Sequence, residues 1–126
     1  MKVLNIISSA YRATLEEQDD TIVWLSHMLA GAGAEIDILL RGPAANYIVK
    51  GQEAGPLSIG GRRQKHAPDV HGQVVSFAEK GGGVFVIEDD LKRRGLAKAP
   101  ALAAVEFVST RRLPRLFERY DFVWHW

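Results

Sequence analysis

The sequence has 126 residues, of which 47% are hydrophobic and 25% are charged, and its formal net charge is +1. These values are typical of a globular protein with its own core, so we expect a single domain over residues 1–126. The small net charge argues against a dedicated nucleic-acid-binding protein, which carries a strong basic excess. Because the sequence contains no cysteine, disulfides, thiolate metal sites and a cysteine nucleophile are excluded.

Neither a membrane association nor a nucleotide cofactor is indicated by the sequence. No apolar run reaches the length of a membrane span, and the run after Met1 is too short for a secretory signal. We therefore expect a cytoplasmic protein. The turn after the first predicted strand matches neither G-x-G-x-x-G nor G-x-x-x-x-G-K-[ST]. No cofactor is predicted.

Five apolar runs predict five strands, and helical patterns lie between them. The predicted strands cover residues 3–7, 35–40, 84–87, 105–108 and 122–126. Helical spacing runs from Leu15 to Ala32, and further helices are predicted over residues 42–51, 70–80 and 111–120. Strands that alternate with helices favour right-handed βαβ units. We therefore predict a flavodoxin-like α/β/α sandwich with a mainly parallel five-stranded sheet.

The segment 51–69, "GQEAGPLSIGGRRQKHAPD", has no hydrophobic periodicity and predicts one long loop that is functional or mobile. Its basic part, "GGRRQKH", is either a solvated loop or a binding site for a small anion such as phosphate or sulfate. His66 and His71 flank the end of this loop and could meet nearby carboxylates as metal ligands. Their spacing matches no metal motif, so no metal site is predicted.

Polar residues follow the predicted strands, and ligands of open parallel sheets bind at the carboxyl ends of the strands. We expect a ligand-binding rim that contains Ser8, Ser9 and Tyr11, then Arg41 and Asn46, then Glu88, Asp89, Asp90 and Arg94, with Ser109 and Thr110 after the fourth strand. No known catalytic constellation is present in this set. The serines lack a G-x-S-x-G elbow and would need a nearby base to act as nucleophiles.

Three acids end the apolar run 84–87 in the stretch "VFVIEDDLKRRGL", and two interpretations of them stay open. As the first turn of a short helix they would accept its N–H groups and suit its dipole. Pairing at i,i+4 is then expected between Asp89 and Arg93 and between Asp90 and Arg94. Alternatively, Glu88, Asp89 or Asp90 is a general base that acts on a small metabolite, which would require a concave pocket.

The order of the elements and three segments resemble the DsrE/DsrF-like family of small sulfur-relay proteins. The segments are "LLRGPAANYIVKGQ", "GGGVFVIEDDLKRRGL" and "AVEFVSTRRLPRLFERYDFVWHW". The second is similar to the family's strand followed by C-x-x-C-[LM]-x-x-R-G-[LI], with the two cysteine positions at Ile87 and Asp90. The resemblance implies the family's fold, a sulfur-relay context with other relay proteins as partners, and a trimeric or hexameric homo-oligomer.

The second cysteine position of that motif decides which activity can be expected. In relatives that have the cysteine it carries the persulfide sulfur, whereas the Asp90 carboxylate cannot hold or pass a sulfane sulfur. We therefore expect a cysteine-less binding or assembly subunit without persulfide transfer. The alternative is a small-molecule enzyme that uses Glu88, Asp89 or Asp90 as acid or base. The large aromatic residues that favour an interface are Trp24, Tyr47, Trp124 and Trp126.

Overall fold

The computed structural model describes residues 1–11, 20–52 and 55–126. The strands are β1 (Lys2–Ile7), β2 (Glu35–Leu40), β3 (Ser58–Ile59), β4 (Arg62–Arg63), β5 (Val84–Ile87), β6 (Val105–Val108) and β7 (Phe122–His125). The α-helices are α1 (Thr21–Gly31), α2 (Val70–Glu79), α3 (Glu88–Arg93) and α4 (Leu113–Phe117), and two 3₁₀-helices span Gly42–Ile48 and Thr110–Arg112. The predicted helical position Leu15 lies outside the described residues.

Five of these strands form one parallel sheet in the order β6-β5-β2-β1-β7. The five predicted apolar runs correspond to these strands within one residue at each end. The runs are nearly continuous because the central strands are buried on both faces, as is usual for parallel sheets. The predicted α/β/α sandwich with a parallel five-stranded sheet is confirmed.

The strand order places the helices on opposite faces of the sheet. The steps from β1 to β2, β5 and β6 all run in one direction, whereas the step from β6 to β7 runs back across the sheet. Because such crossovers are right-handed, α1 and α2 cover one face and α4 covers the other. Ile22 of α1 and Phe77 of α2 accordingly share a core cluster with Val3, while Leu116 of α4 packs with Leu4.

Two predicted helices are shorter than the sequence pattern indicates. The one predicted over residues 42–51 is the 3₁₀-helix Gly42–Ile48. The one predicted over residues 111–120 is split into the 3₁₀-helix Thr110–Arg112 and α4. Pro114 lies in the first turn of α4, where its missing N–H costs no hydrogen bond, so the α-helix begins there. No helix in the described part of the chain is long and apolar enough to cross a membrane.

The segment 51–69 is not the featureless loop that the sequence predicts. It contains the antiparallel hairpin of β3 and β4. The two residues between these strands, Gly60 and Gly61, have φ of 57° and 76°. Positive φ at both central positions is what a tight two-residue hairpin turn requires, and glycine adopts it without strain. The hairpin carries Arg62 and Arg63 as exposed side chains.

Candidate functional site at the carboxyl edge of the sheet

Parallel strands bring the predicted polar residues to one edge of the sheet, and their order there follows the strand order. Thr110 follows β6, the three acids follow β5, and Arg41 follows β2. Ser8 follows β1 and faces His125 of β7. Of the remaining predicted rim residues, Ser9 is half-buried beside Ser8, and Arg94 is exposed at the end of α3, as is Arg41 at the end of β2.

Asp90 ties the end of β5 to the turn after β2. Its Oδ2 accepts the backbone N–H of Gly42 at 2.7 Å, and its Oδ1 accepts from Arg93 Nη1 at 3.3 Å. Only 14% of the Asp90 side chain is exposed. Gly42 has φ of 54°, a left-handed conformation that favours glycine, and a Cβ added there would lie 3.6 Å from the Ser8 carbonyl oxygen. Both carboxylate oxygens of Asp90 are therefore engaged within the protein.

Asp89 makes the corresponding link between β5 and β6. Its Oδ2 accepts both the backbone N–H and the side-chain hydroxyl of Thr110, each at 2.8 Å. These two hydrogen bonds, the backbone one first, hold the pKa of Asp89 below its ordinary value because they stabilise the charged carboxylate. Asp89 and Asp90 together join the ends of three neighbouring strands.

The acids form the first turn of a short helix, as the sequence predicts, but the prediction that they cap its N–H groups is wrong. Helix α3 begins directly after Ile87, and no described side chain caps its first N–H groups. Asp89 and Asp90 bond instead to residues at neighbouring strand ends, and the negative charge of all three acids suits the positive end of the helix dipole. The predicted i,i+4 pairs are also wrong, since the ion pairs that the described residues form in this segment are Glu88–Lys92 and Asp90–Arg93.

The same contacts disfavour a general base among these acids. A general base works best with a pKa near the operating pH, and the hydrogen bonds from Thr110 move the pKa of Asp89 in the opposite direction. Asp90 already accepts one hydrogen bond on each oxygen, from the Gly42 N–H and from Arg93. None of the three acids lines the cavity beside Lys2 and Asp37, the groove beside β7 or the cavity between Trp24 and Asp69. Asp89 and Asp90 link the ends of neighbouring strands, whereas Glu88 pairs with Lys92 of its own helix.

Ser8 has a histidine partner that sequence analysis did not find. The Ser8 Oγ lies 2.5 Å from Nε2 of His125, although the two residues are 117 positions apart in the chain. They meet because β7 crosses back to pair with β1, where His125 lies opposite Ile6. The sequence indicated a strand at residues 122–126 but not its neighbour in the sheet, so no local signal could have revealed the pair.

Tyr11 and Asn46 belong to a second cluster, which surrounds Gln52. The Tyr11 hydroxyl donates to Gln52 Oε1 at 2.7 Å, and Gln52 Nε2 donates to the backbone carbonyl of Asn46 at 2.5 Å. The side-chain Oδ1 of Asn46 is buried and has no hydrogen-bond partner among the described residues. Hydrogen bonds thus connect two of the predicted rim residues to each other and leave the acids in a separate group.

A buried tyrosine–carboxylate pair supports this second cluster. The Tyr47 hydroxyl donates to Oδ2 of the fully buried Asp20 at 2.7 Å and accepts the backbone N–H of Tyr11 at 2.6 Å. Burial and the neighbouring Asp20 raise the pKa of Tyr47 well above its ordinary value. Asp20 also caps α1, because its Oδ1 accepts the N–H groups of Ile22 and Val23. Tyr47 therefore lies in the core and is not the interface residue that the sequence indicated.

The histidines near the loop do not assemble with the carboxylates. His71 Nδ1 bonds to the backbone carbonyl of Tyr47 at 2.8 Å, and His66 is exposed. Among the described residues, no group of three histidine, aspartate or glutamate side chains is placed to hold a metal ion.

The fold and this edge define a class of protein: an α/β/α sandwich whose parallel sheet carries polar side chains across its carboxyl edge. The structure is similar to the crystal structure of the YchN protein from Escherichia coli, with a TM-score of 0.77 over 99% of this chain and 98% of that one. Sequence identity between the two is 15%. YchN has the DsrE/DsrF-like fold, and this chain shares it. No protein-family model and no curated protein matches the sequence.

Proposed function

We propose that the protein is a cysteine-less binding or assembly subunit associated with sulfur relay or related sulfur metabolism, without persulfide transfer of its own. The observation that carries this proposal is the state of Asp90. At the position where the resembling motif has its second cysteine, this chain has a carboxylate that is bonded to Gly42 N–H. A carboxylate has no sulfur that could form a persulfide, and the sequence contains no cysteine elsewhere.

An exposed apolar surface on α1 supports a role in assembly. Trp24 and Met28 lie one helical turn apart and are 50% and 54% exposed. Large apolar side chains that are exposed next to each other are typical of protein interfaces. The edge strand β7 adds further exposed aromatic residues and pairs with β1 on one side only. The proposal therefore includes a homo-oligomer, a trimer or a hexamer, in which the α1 surface is covered.

Binding of a further partner is assigned to the carboxyl edge of the sheet. Arg41 and Arg94 are exposed there, and they are the cations that a small anionic ligand or an acidic segment of another relay protein would meet. The hydrogen bonds of Asp89 and Asp90 link the strand ends at this edge.

Native mass spectrometry of the protein purified from its own host tests this function. We expect an assembly of three or six chains, with a bound small anion or a co-purified partner protein. Substitution of both Arg41 and Arg94 by Gln should release that ligand or partner without changing the number of chains. A single-chain mass with nothing bound would contradict the proposal.

A further inference from the structure

The hairpin of β3 and β4 is exposed on both of its faces. Ser58 pairs with Arg63 and Ile59 pairs with Arg62, so that two successive pairs point to opposite sides of the hairpin. All residues from 57 to 63 are exposed, which means that neither side is covered by another described element. The hairpin therefore adds nothing to the core, and its side chains are available for a contact outside the domain.

Two large aliphatic side chains lie on one face of this hairpin. Leu57 is 54% exposed and Ile59 is 60% exposed. The Leu57 carbonyl accepts the Gln64 N–H at 2.8 Å, so the pairing of the two chains extends to Leu57. Residues two apart on a strand point to the same face, and Arg62, directly opposite Ile59, shares that face with them. Neighbouring apolar side chains that are exposed in this way are typical of a protein or membrane contact.

The hairpin and the residues that follow it carry a local excess of positive charge. Arg62, Arg63 and Lys65 are exposed, and none of them forms an ion pair with another described residue. No acidic residue occurs between positions 55 and 68, although the net charge of the whole chain is only +1. We therefore expect an occupant that offers negative charge beside an apolar region.

An anionic lipid bilayer fits these features better than a protein or a nucleic acid. A stable protein interface takes about 800 Å² and roughly 20–30 residues from each partner. Residues 57–63 present far fewer. The phosphates of a nucleic acid would contact the arginines but leave Leu57 and Ile59 in water. A bilayer has phosphates at its surface and acyl chains directly beneath them, so it accommodates both kinds of side chain at once.

We propose that the hairpin of β3 and β4 binds the surface of an anionic phospholipid bilayer. The two aliphatic side chains insert at the boundary between headgroups and acyl chains, while the three cations contact lipid phosphates. Insertion stops at that boundary, because the backbone of the Gly60-Gly61 turn needs water or headgroups as hydrogen-bond partners. The sequence argued only against a membrane span and a secretory signal, and a surface contact involves neither. This binding goes beyond the assembly and sulfur-relay function proposed above and does not depend on it.

Flotation of the full-length protein with lipid vesicles tests the contact. We expect the protein to bind vesicles of phosphatidylcholine mixed with phosphatidylglycerol, and to bind pure phosphatidylcholine vesicles roughly tenfold more weakly or less. The double variant Arg62→Gln, Arg63→Gln should weaken binding to the mixed vesicles roughly tenfold or more, because it removes two cations that face lipid phosphates. Ile59→Ser should weaken it by a similar factor, because it removes an inserted apolar side chain.

Variants outside the hairpin serve as matched controls. The double variant Arg111→Gln, Arg112→Gln changes the net charge equally at exposed positions after β6, and Phe107→Ser removes an apolar side chain that is 49% exposed. Both should bind the mixed vesicles as the wild type does, and circular dichroism checks that every variant is folded. Absence of wild-type binding, or equal losses in the hairpin and control variants, would overturn the proposal. Displacement by inorganic phosphate at the concentration of the lipid phosphate would show a small-anion site instead. A double-stranded oligonucleotide that binds where vesicles do not would assign the hairpin to nucleic acid.

The fluorescence of a single label tests the insertion. Because the chain has no cysteine, Ile59→Cys provides one site for an environment-sensitive nitrobenzoxadiazole label. With the mixed vesicles, its emission should rise and shift to shorter wavelength as the label leaves water. Phe107→Cys, labelled in the same way, should show no change. Binding without a change in the label at position 59 would show adsorption by charge alone and would overturn the insertion. The number of chains in the assembly is measured without lipid, so failure of membrane binding and failure of the assembly function are distinguished.

Discussion

The Asp90 carboxylate accepts the backbone N–H of Gly42 at 2.7 Å, across 48 positions of sequence. This contact joins the end of β5 to the turn after β2. Gly42 has φ of 54°, a conformation that other residues adopt only with strain. Asp90 stands where the resembling motif has its second cysteine, and here it links two strand ends. Its substitution should therefore lower the free energy of unfolding.

Two replacements of Asp90 distinguish the loss of its hydrogen-bond acceptor from the loss of its negative charge. Asp90→Ala leaves the partly buried Gly42 N–H without an acceptor, so we expect a loss of about 1–3 kcal/mol in the free energy of unfolding. Asp90→Asn keeps an oxygen at the same place and should cost about 1 kcal/mol or less. Urea unfolding measures both. As a control, Glu88→Gln removes only an exposed ion pair with Lys92 and should change stability by about 0.5 kcal/mol or less. Equal losses in the Ala and Asn variants would contradict this role of Asp90.

The Asp89–Thr110 contact should give a pH-dependent contribution to stability. The folded-state pKa of Asp89 lies below its unfolded value of about 3.9. The contribution is therefore present above that pH and is lost as the pH falls through the folded-state pKa. Thr110→Val removes the hydroxyl donor and weakens this effect. We expect the stability difference between wild type and variant, measured by urea unfolding, to be larger at pH 7 than at pH 2. A difference that is the same at both pH values would show that the hydroxyl bond does not favour the charged carboxylate.

The central strands could be predicted because burial on both faces leaves a direct mark in the sequence. The run 84–87 is apolar throughout and ends at the charged Glu88. The hairpin of β3 and β4 also had a signal, the Gly60-Gly61 pair between two short polar–apolar segments, but the lack of periodicity around it obscured that signal. The short 3₁₀-helices had none, because helical spacing does not distinguish a 3₁₀-helix from an α-helix over so few residues.

The site could be predicted only as far as the edge on which it lies. Topology alone places Ser8, Asp90 and Thr110 at the carboxyl ends of strands. The partner of each side chain depends on which strands are neighbours, and strand order is not encoded locally. The sequence therefore left Asp90 open between a helix cap and a reactive acid, and it gave no partner for His125. The contacts of both side chains follow from the positions of β5 beside β2 and of β7 beside β1.

The buried Tyr47–Asp20 pair should make the protein sensitive to alkaline pH. Tyr47→Phe leaves Asp20 Oδ2 and the Tyr11 N–H without their partner, so we expect a loss of about 3 kcal/mol at pH 7. The folded-state pKa of Tyr47 lies above its unfolded value of about 10, so the hydroxyl's contribution is present below that pH and is lost as the pH rises above it.

We therefore expect the difference in the free energy of unfolding between wild type and Tyr47→Phe to be smaller at pH 11 than at pH 7. Urea unfolding at the two pH values measures it. Tyr120, whose pKa is also raised, is present in both proteins and cancels in this comparison. Tyr11→Phe is the control, because it removes only an exposed bond to Gln52 and should cost about 0.5 kcal/mol or less. A difference in the free energy of unfolding that stays constant with pH would mean that the folded protein does not hold the pKa of Tyr47 above its unfolded value.

Incubation with polysulfide or thiosulfate should leave no covalent sulfur on the wild-type protein. We expect intact mass spectrometry to show no stable adduct of about 32 Da, the mass of one sulfur atom, that a thiol reductant reverses. Asp90→Cys places a thiol at the position that resembles the family's reactive cysteine and should gain such an adduct. Ser58→Cys, in the exposed hairpin, is the matched control for a thiol elsewhere and should react more slowly. A reversible adduct on the wild type would show that a side chain other than cysteine carries sulfur.

The exposed surface of α1 should determine the assembly state. Light scattering at micromolar concentration should give the mass of three or six chains for the wild type, because Trp24 and Met28 would otherwise remain 50% and 54% exposed. Trp24→Glu places a charge in that interface and should reduce the mass to that of a smaller species while circular dichroism stays unchanged. Leu57→Glu is a matched control, since Leu57 is 54% exposed in the segment that leads to the hairpin and should leave the mass unaltered. A wild type with the mass of one chain would refute the assembly, and an assembled Trp24→Glu would place the interface elsewhere, with the β7 edge as the remaining exposed apolar surface.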